Sequence, residues 1–185
     1  MNMVHTDPAR PPLLRHGVPL MLLLAVTVGI GAQSWIDQFR QVDTQKRHLE
    51  SVLPDADRYE FVDGTLPHFR AYTGGALTGL AFFTNELDPK VYGYKTQFWM
   101  MVGVRTSGVI SGVSIDYHAE PFGYFSVDPP EYVEQFKGKS IMDPLEVGND
   151  IDAVSRATIT TESATRAIRQ GSRQLLRQYL SERRK

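Results

Sequence analysis

The 185-residue chain has room for one ordinary domain with appendages, since domains commonly run roughly 100 to 150 residues. Its 20 Lys and Arg nearly cancel its 21 Asp and Glu, with no long single-sign run before the short basic end Arg183-Arg184-Lys185, so a nucleic-acid partner is not expected. The absence of cysteine excludes disulfides, iron–sulfur clusters, thiolate zinc sites and thioether-linked haem, so any redox centre must be held in another way.

In chain order, residues 1–16 form a short tail. Residues 17–36 follow as an apolar stretch running from Gly17-Val18-Pro19-Leu20 to Trp35-Ile36, with no Lys, Arg, Asp or Glu between Arg15 and Asp37. That length matches the roughly 20 residues that cross a hydrocarbon core, and Trp35 suits the interface. The competing reading is a cleaved signal peptide, for which Ile30-Gly31-Ala32 is a weak cleavage site. Arg10 and Arg15 on one side face Arg40, Lys46 and Arg47 on the other, so charge counting leaves orientation open.

Residues 37–57 read as a helical stalk, with Trp35, Phe39, Val42, Leu49 and Val52 at helical spacing and Pro54 as its stop. The apolar face of this stalk packs either on the chain's own domain or on a partner subunit. From Arg58 the pattern turns to β-rich runs, and strands are expected over His68–Tyr72, Leu77–Thr84, Phe98–Arg105 and Val109–Tyr117. Thr106-Ser107-Gly108 joins the last two as a hairpin turn. In the second arm Val109, Ser111, Val113 and Ile115 alternate with Ser114 and Asp116, a pattern that Ile110 breaks. Tyr92, Tyr94, Phe98 and Trp99 form an aromatic cluster of the kind usually found in a core. A short helix is expected over Glu131–Lys137. After Thr161 a longer one places Ala164, Ile168, Leu175 and Tyr179 on one stripe. The fold class is therefore α+β, an antiparallel sheet with packed helices, preceded by one transmembrane helix and its stalk.

The stretch richest in chemistry is Asp152-Ala153-Val154-Ser155-Arg156-Ala157-Thr158-Ile159-Thr160-Thr161. Hydroxyl side chains just before a helix are usually caps, and capping alone would account for Thr160 or Thr161 but not for Ser155 and Thr158 as well. A helix start with free N–H groups and nearby arginines, Arg156 and Arg166, also suits a phosphate.

Asp152-x-x-Ser155-x-Ala157-Thr158 resembles the flavinylation motif Asp-x-x-(Ser/Thr)-Gly-Ala-Thr of the FMN-binding domain family. That family includes the RnfG and NqrC subunits of ion-pumping redox complexes and the first domain of NosR-type regulators. The likeness covers roughly Arg58 to Leu180, including Tyr92-Gly93-Tyr94 and Gln135-Phe136-Lys137-Gly138-Lys139-Ser140, and assigns residues 58–185 to an FMN-binding domain. His118-Ala119-Glu120-Pro121 is closer to the His-x-Glu-Pro of the NosR group. The resemblance implies covalent FMN on Thr158, attached by a flavin transferase that uses FAD. It makes Asp152, Ser155 and Ala157 recognition residues and places Arg156, Ile159 and Thr160 beside the site. His118 and Glu120 either line the flavin pocket or cap a loop; two ligands do not make a metal site.

One position departs from the pattern: Arg156 stands where the family has glycine, whose backbone freedom arginine matches only at a cost of about 1 kcal/mol or more. The guanidinium could instead pair with the phosphodiester. The implied role is an electron-transfer component of a membrane oxidoreductase complex rather than a complete enzyme, with other subunits and membrane lipid as partners. The flavin domain is expected on the extracytoplasmic side of the inner membrane. The alternatives are a structural or assembly subunit without flavin, and a regulatory domain.

Overall fold

The computed structural model describes residues 37–184; the expected anchor at residues 17–36 and the tail before it lie outside them. Among the described residues no helix is long and apolar enough to cross a membrane. Helix α1 (Val42–Val52) follows a short helical stretch at 37–39. The strands β1 (Arg58–Val62), β2 (His68–Thr73), β3 (Ala76–Phe83), β4 (Trp99–Arg105) and β5 (Ile110–Tyr117) follow it. Helices α2 (Gly123–Ser126), α3 (Pro130–Glu134) and α4 (Thr158–Glu182) complete the chain. The five strands pair antiparallel in the order β1-β2-β3-β4-β5, a meander in which each strand lies beside its sequence neighbour. The expected α+β class holds, with one strand more than the sequence suggests. Arg58-Tyr59-Glu60-Phe61-Val62 mixes charge with aromatics because β1 is an edge strand with no fully buried residue.

Strand alternation sends side chains to two separate cores. Leu80 and Phe82 of β3 and Met100, Val102 and Val104 of β4 pack on one face with Ala164, Ala167, Ile168, Leu175 and Tyr179 of α4. That is the stripe read from the sequence, and each large aliphatic buried there contributes about 1.5 to 3 kcal/mol. Ala81, Phe83 and Met101 point the other way, against Leu49, Val52 and Leu53 from α1 and its end. Both faces of the sheet are thus covered, and the helix expected as a stalk forms the third layer of the domain. Of the two partners left open for its apolar face, the structure shows the chain's own sheet. Glycines permit the close approach: a Cβ at Gly103 would lie 2.6 Å from the Val52 carbonyl oxygen, and one at Gly79 would lie 2.5 Å from a Leu53 methyl.

The break in alternation at Ile110 is a β-bulge. Val104 pairs with Ile110 and Gly103 with Gly112, leaving Ser111 as the extra residue. Ile110 therefore faces the α4 core together with Val113 and Ile115, whereas Ser111 turns to α1 and donates to the Val52 carbonyl at 2.5 Å. At the β4–β5 turn, Gly108 has φ +86° and its N–H donates to the Arg105 carbonyl, as the expected hairpin requires. Helix α3 is shorter than expected, and α4 starts at Thr158 rather than after Thr161. Arg169 and Arg173 on α4 donate to the carbonyls of Leu145 and Ile141, which ties the helix to the loop that precedes it.

Candidate functional site: the start of helix α4

The segment leading into α4 makes a tight turn in which the Ala157 N–H donates to the Val154 carbonyl at 3.1 Å. Arg156 is the third residue of that turn and has φ +69°, in the left-handed region that favours glycine. The motif's glycine position is therefore a conformational requirement, and arginine meets it under strain. Asp152 is exposed, and its backbone N–H donates to the Gln135 side-chain oxygen at 2.7 Å, which pins the motif to the segment after α3. Ser155 is exposed as well.

The capping account of the hydroxyl cluster fails. The N-cap residue is the buried Ala157, no side chain caps the helix, and no acidic residue lies in its first turn. The free N–H groups and the positive end of the helix dipole are left to other partners. The threonines divide sharply. Thr160 is buried and donates to Glu120 Oε2 at 2.7 Å; Thr161 is buried and donates back to the Ala157 carbonyl; Thr165 is buried and shares a 3.0 Å hydrogen bond with the Tyr132 hydroxyl. Thr158 alone is exposed, at the first position of the helix, beside Ile159, which is 56% exposed.

Glu120 holds the site together. Only 7% exposed, its carboxylate accepts from the backbone N–H groups of Tyr94 and Lys95, both at 2.9 Å, and from the Thr160 hydroxyl. Burial pushes its pKa up, but hydrogen bonds from Lys95, Thr160 and Tyr94 more than offset this and hold it below the ordinary carboxylate value. Glu120 is thus an anionic bracket joining the Tyr92-Gly93-Tyr94 loop to the first turn of α4. Gly93 is needed there, since a Cβ would lie 2.5 Å from Glu120 Oε1.

His118 does something different. Its Nδ1 accepts from the Glu120 N–H at 3.1 Å, so Nε2 carries the proton and donates to Asp128 at 2.6 Å. Both residues line a groove of about 570 Å³ along the outer edge of β5. Of the two roles expected for this pair, loop capping describes the hydrogen bonds that Glu120 makes.

The structure also corrects the reading of the aromatic cluster. Phe98 is core, but Tyr92 and Tyr94 are 60% and 61% exposed. Phe122 and Tyr124, which drew no attention in the sequence, are exposed as well. The signal was present in Pro121-Phe122-Gly123-Tyr124-Phe125, an aromatic run too broken by proline and glycine to be a strand.

No curated protein matches the chain. Residues 93–172 match the family model described as FMN-binding domain, and that stretch runs from Gly93 at the Glu120 bracket, through the motif, to Ser172 in α4. This geometry suits the group such a domain binds: an uncapped helix start and an exposed arginine for its phosphate, and exposed aromatics beside them. An FMN-binding domain is thus detected over residues 93–172, consistent with the resemblance carried by the motif.

Proposed function

We propose that the chain carries FMN covalently on Thr158 and serves as an electron-transfer component of a membrane redox complex. The observation that carries this reading is the division among the threonines: Thr160, Thr161 and Thr165 are buried and hydrogen-bonded, whereas Thr158 presents its hydroxyl at the uncapped helix start. Attachment esterifies Thr158 Oγ with the FMN phosphate of FAD and releases AMP and the hydroxyl proton, with a flavin transferase as the catalyst.

Bound FMN supplies exchange of one or two electrons. The chain's own residues hold and orient it. The phosphodiester keeps one negative charge, which the first-turn N–H groups of α4 and the Arg156 guanidinium are suited to meet. Glu120 keeps the Tyr94 loop and α4 in register. Tethering both the flavin and the domain raises the effective concentration of the redox centre near membrane-embedded partners. On this reading residues 17–36 anchor the chain, membrane lipid and other subunits surround it, and the flavin domain lies on the extracytoplasmic side of the inner membrane.

The test is coexpression with a flavin transferase, followed by flavin fluorescence of the protein band in a denaturing gel and intact-mass measurement. Wild type should gain one FMN, and Thr158→Ala should lose it while keeping its unfolding transition. Retention of the FMN mass in that variant would move the acceptor elsewhere. An unmodified wild type would favour a structural or regulatory subunit instead.

A further inference from the structure

Single exposed aromatics are ordinary, but several gathered at one place mark a binding surface. Here the exposed apolar side chains Tyr94, Phe122, Tyr124 and Ile159 come from three separate segments that meet at the start of α4. The Tyr94 backbone N–H and the Thr160 hydroxyl share Glu120 Oε2, which brings Tyr94 within one carboxylate of the helix turn that carries Ile159. The Gly123 N–H donates to the Glu120 carbonyl at 3.2 Å, so Phe122 and Tyr124 flank the same bracket. Phe125 underlies both, with ring centroids 5.8 Å from Phe122 and 4.9 Å from Tyr124, and Ser126 Oγ fixes the turn by donating to the Phe122 carbonyl at 2.7 Å. The rim is therefore held by hydrogen bonds and ring contacts while its upper surface stays open to solvent. Tyr124 is 73% exposed.

We propose that Tyr94, Phe122, Tyr124 and Ile159 form the surface on which the isoalloxazine ring rests, with Glu120 as the positioning residue that assembles it. The proposal rests on attachment at Thr158, which sits between Ala157 and Ile159 at the edge of the rim. A flat, extended aromatic system matches a rim of aromatic and aliphatic side chains, and offset or edge-on ring contacts favour it over water. The tether starts at the edge of the patch, so the ring needs no separate docking step to reach it. This is the reason for choosing the flavin over a protein partner as the occupant.

The experiment uses full-length holoprotein made with the transferase and compares flavin emission in the folded state with emission of the same sample after denaturation. A tyrosine ring against the isoalloxazine quenches its emission by donating an electron to the excited state; phenylalanine does not, yet keeps the ring's shape. Wild type should emit several-fold less when folded than when denatured. Tyr94→Phe with Tyr124→Phe should recover most of that emission at equal covalent loading. The Tyr117→Phe control, whose ring packs edge-on against Trp99, should behave as wild type. Glu120→Gln should also relieve the quench, because a neutral amide offers one oxygen where the carboxylate uses two.

Equal emission in folded and denatured wild type, or an unchanged quench in the double tyrosine variant, overturns the seat. The second result leaves the patch to a protein partner. Denaturing-gel fluorescence reads attachment separately, so a wild type without covalent flavin counts against the Thr158 reading and removes the seat with it.

Discussion

Arg156→Gly tests whether backbone strain at the motif is real. Arg156 has φ +69° at the third position of the turn before α4. A left-handed conformation costs a residue with a Cβ about 1 to 2 kcal/mol, and glycine removes that cost. Glycine also gives the unfolded chain more freedom, which takes back about 0.4 to 1 kcal/mol. Arg156 is exposed, so no core packing is lost. The net expectation is a gain of about 0.5 to 1 kcal/mol, or roughly 1 to 4 °C in Tm for a domain of this size. Urea unfolding followed by circular dichroism should show a higher midpoint at unchanged slope, and flavin loading should be equal or greater. A lower midpoint would show that the guanidinium makes a stabilising contact that outweighs the strain. A marked fall in loading would show that it takes part in phosphate or transferase recognition.

Two further expectations follow from burial and from topology. His68 is 1% exposed, and burial lowers its pKa below the ordinary 6.5, opposed in part by its hydrogen bond to the Leu66 carbonyl. A base with a lowered folded pKa favours the folded state fully above pH 6.5. As pH falls below that value the unfolded chain takes up a proton the folded chain refuses, and stability drops by up to about 1.4 kcal/mol per pH unit. His68→Gln should flatten that slope in urea midpoints taken between pH 7.5 and 5, and an identical slope in the variant would assign the acid sensitivity elsewhere. For topology, protease added outside intact spheroplasts should digest the flavin domain and leave a short membrane-bound stub. Full protection until lysis would put the FMN in the cytoplasm.

Local pattern determined much of this protein. Four of the five strands, the hairpin at Gly108 and the buried stripe of α4 follow from periodicity and turn chemistry, which depend on neighbours in the chain. The stretch that resembles the flavinylation motif was likewise legible, since it is contiguous. What remained hidden depends on contacts between distant residues. The sequence left the apolar face of α1 without an owner because Val52 and Leu53 look the same whether they meet a partner or the chain's own Gly79, Gly103 and Gly112. Ile110 looked like an error of alternation until pairing with Val104 revealed the bulge that turns it inward. Thr158, Thr160 and Thr161 are chemically equivalent on paper. Burial against Glu120 and the helix backbone occupies the last two and leaves the first exposed. The resemblance alone placed Glu120 in the candidate site. Its role as the joint between the Tyr94 loop and α4 required the fold, because that joint spans 26 residues on one side and 40 on the other.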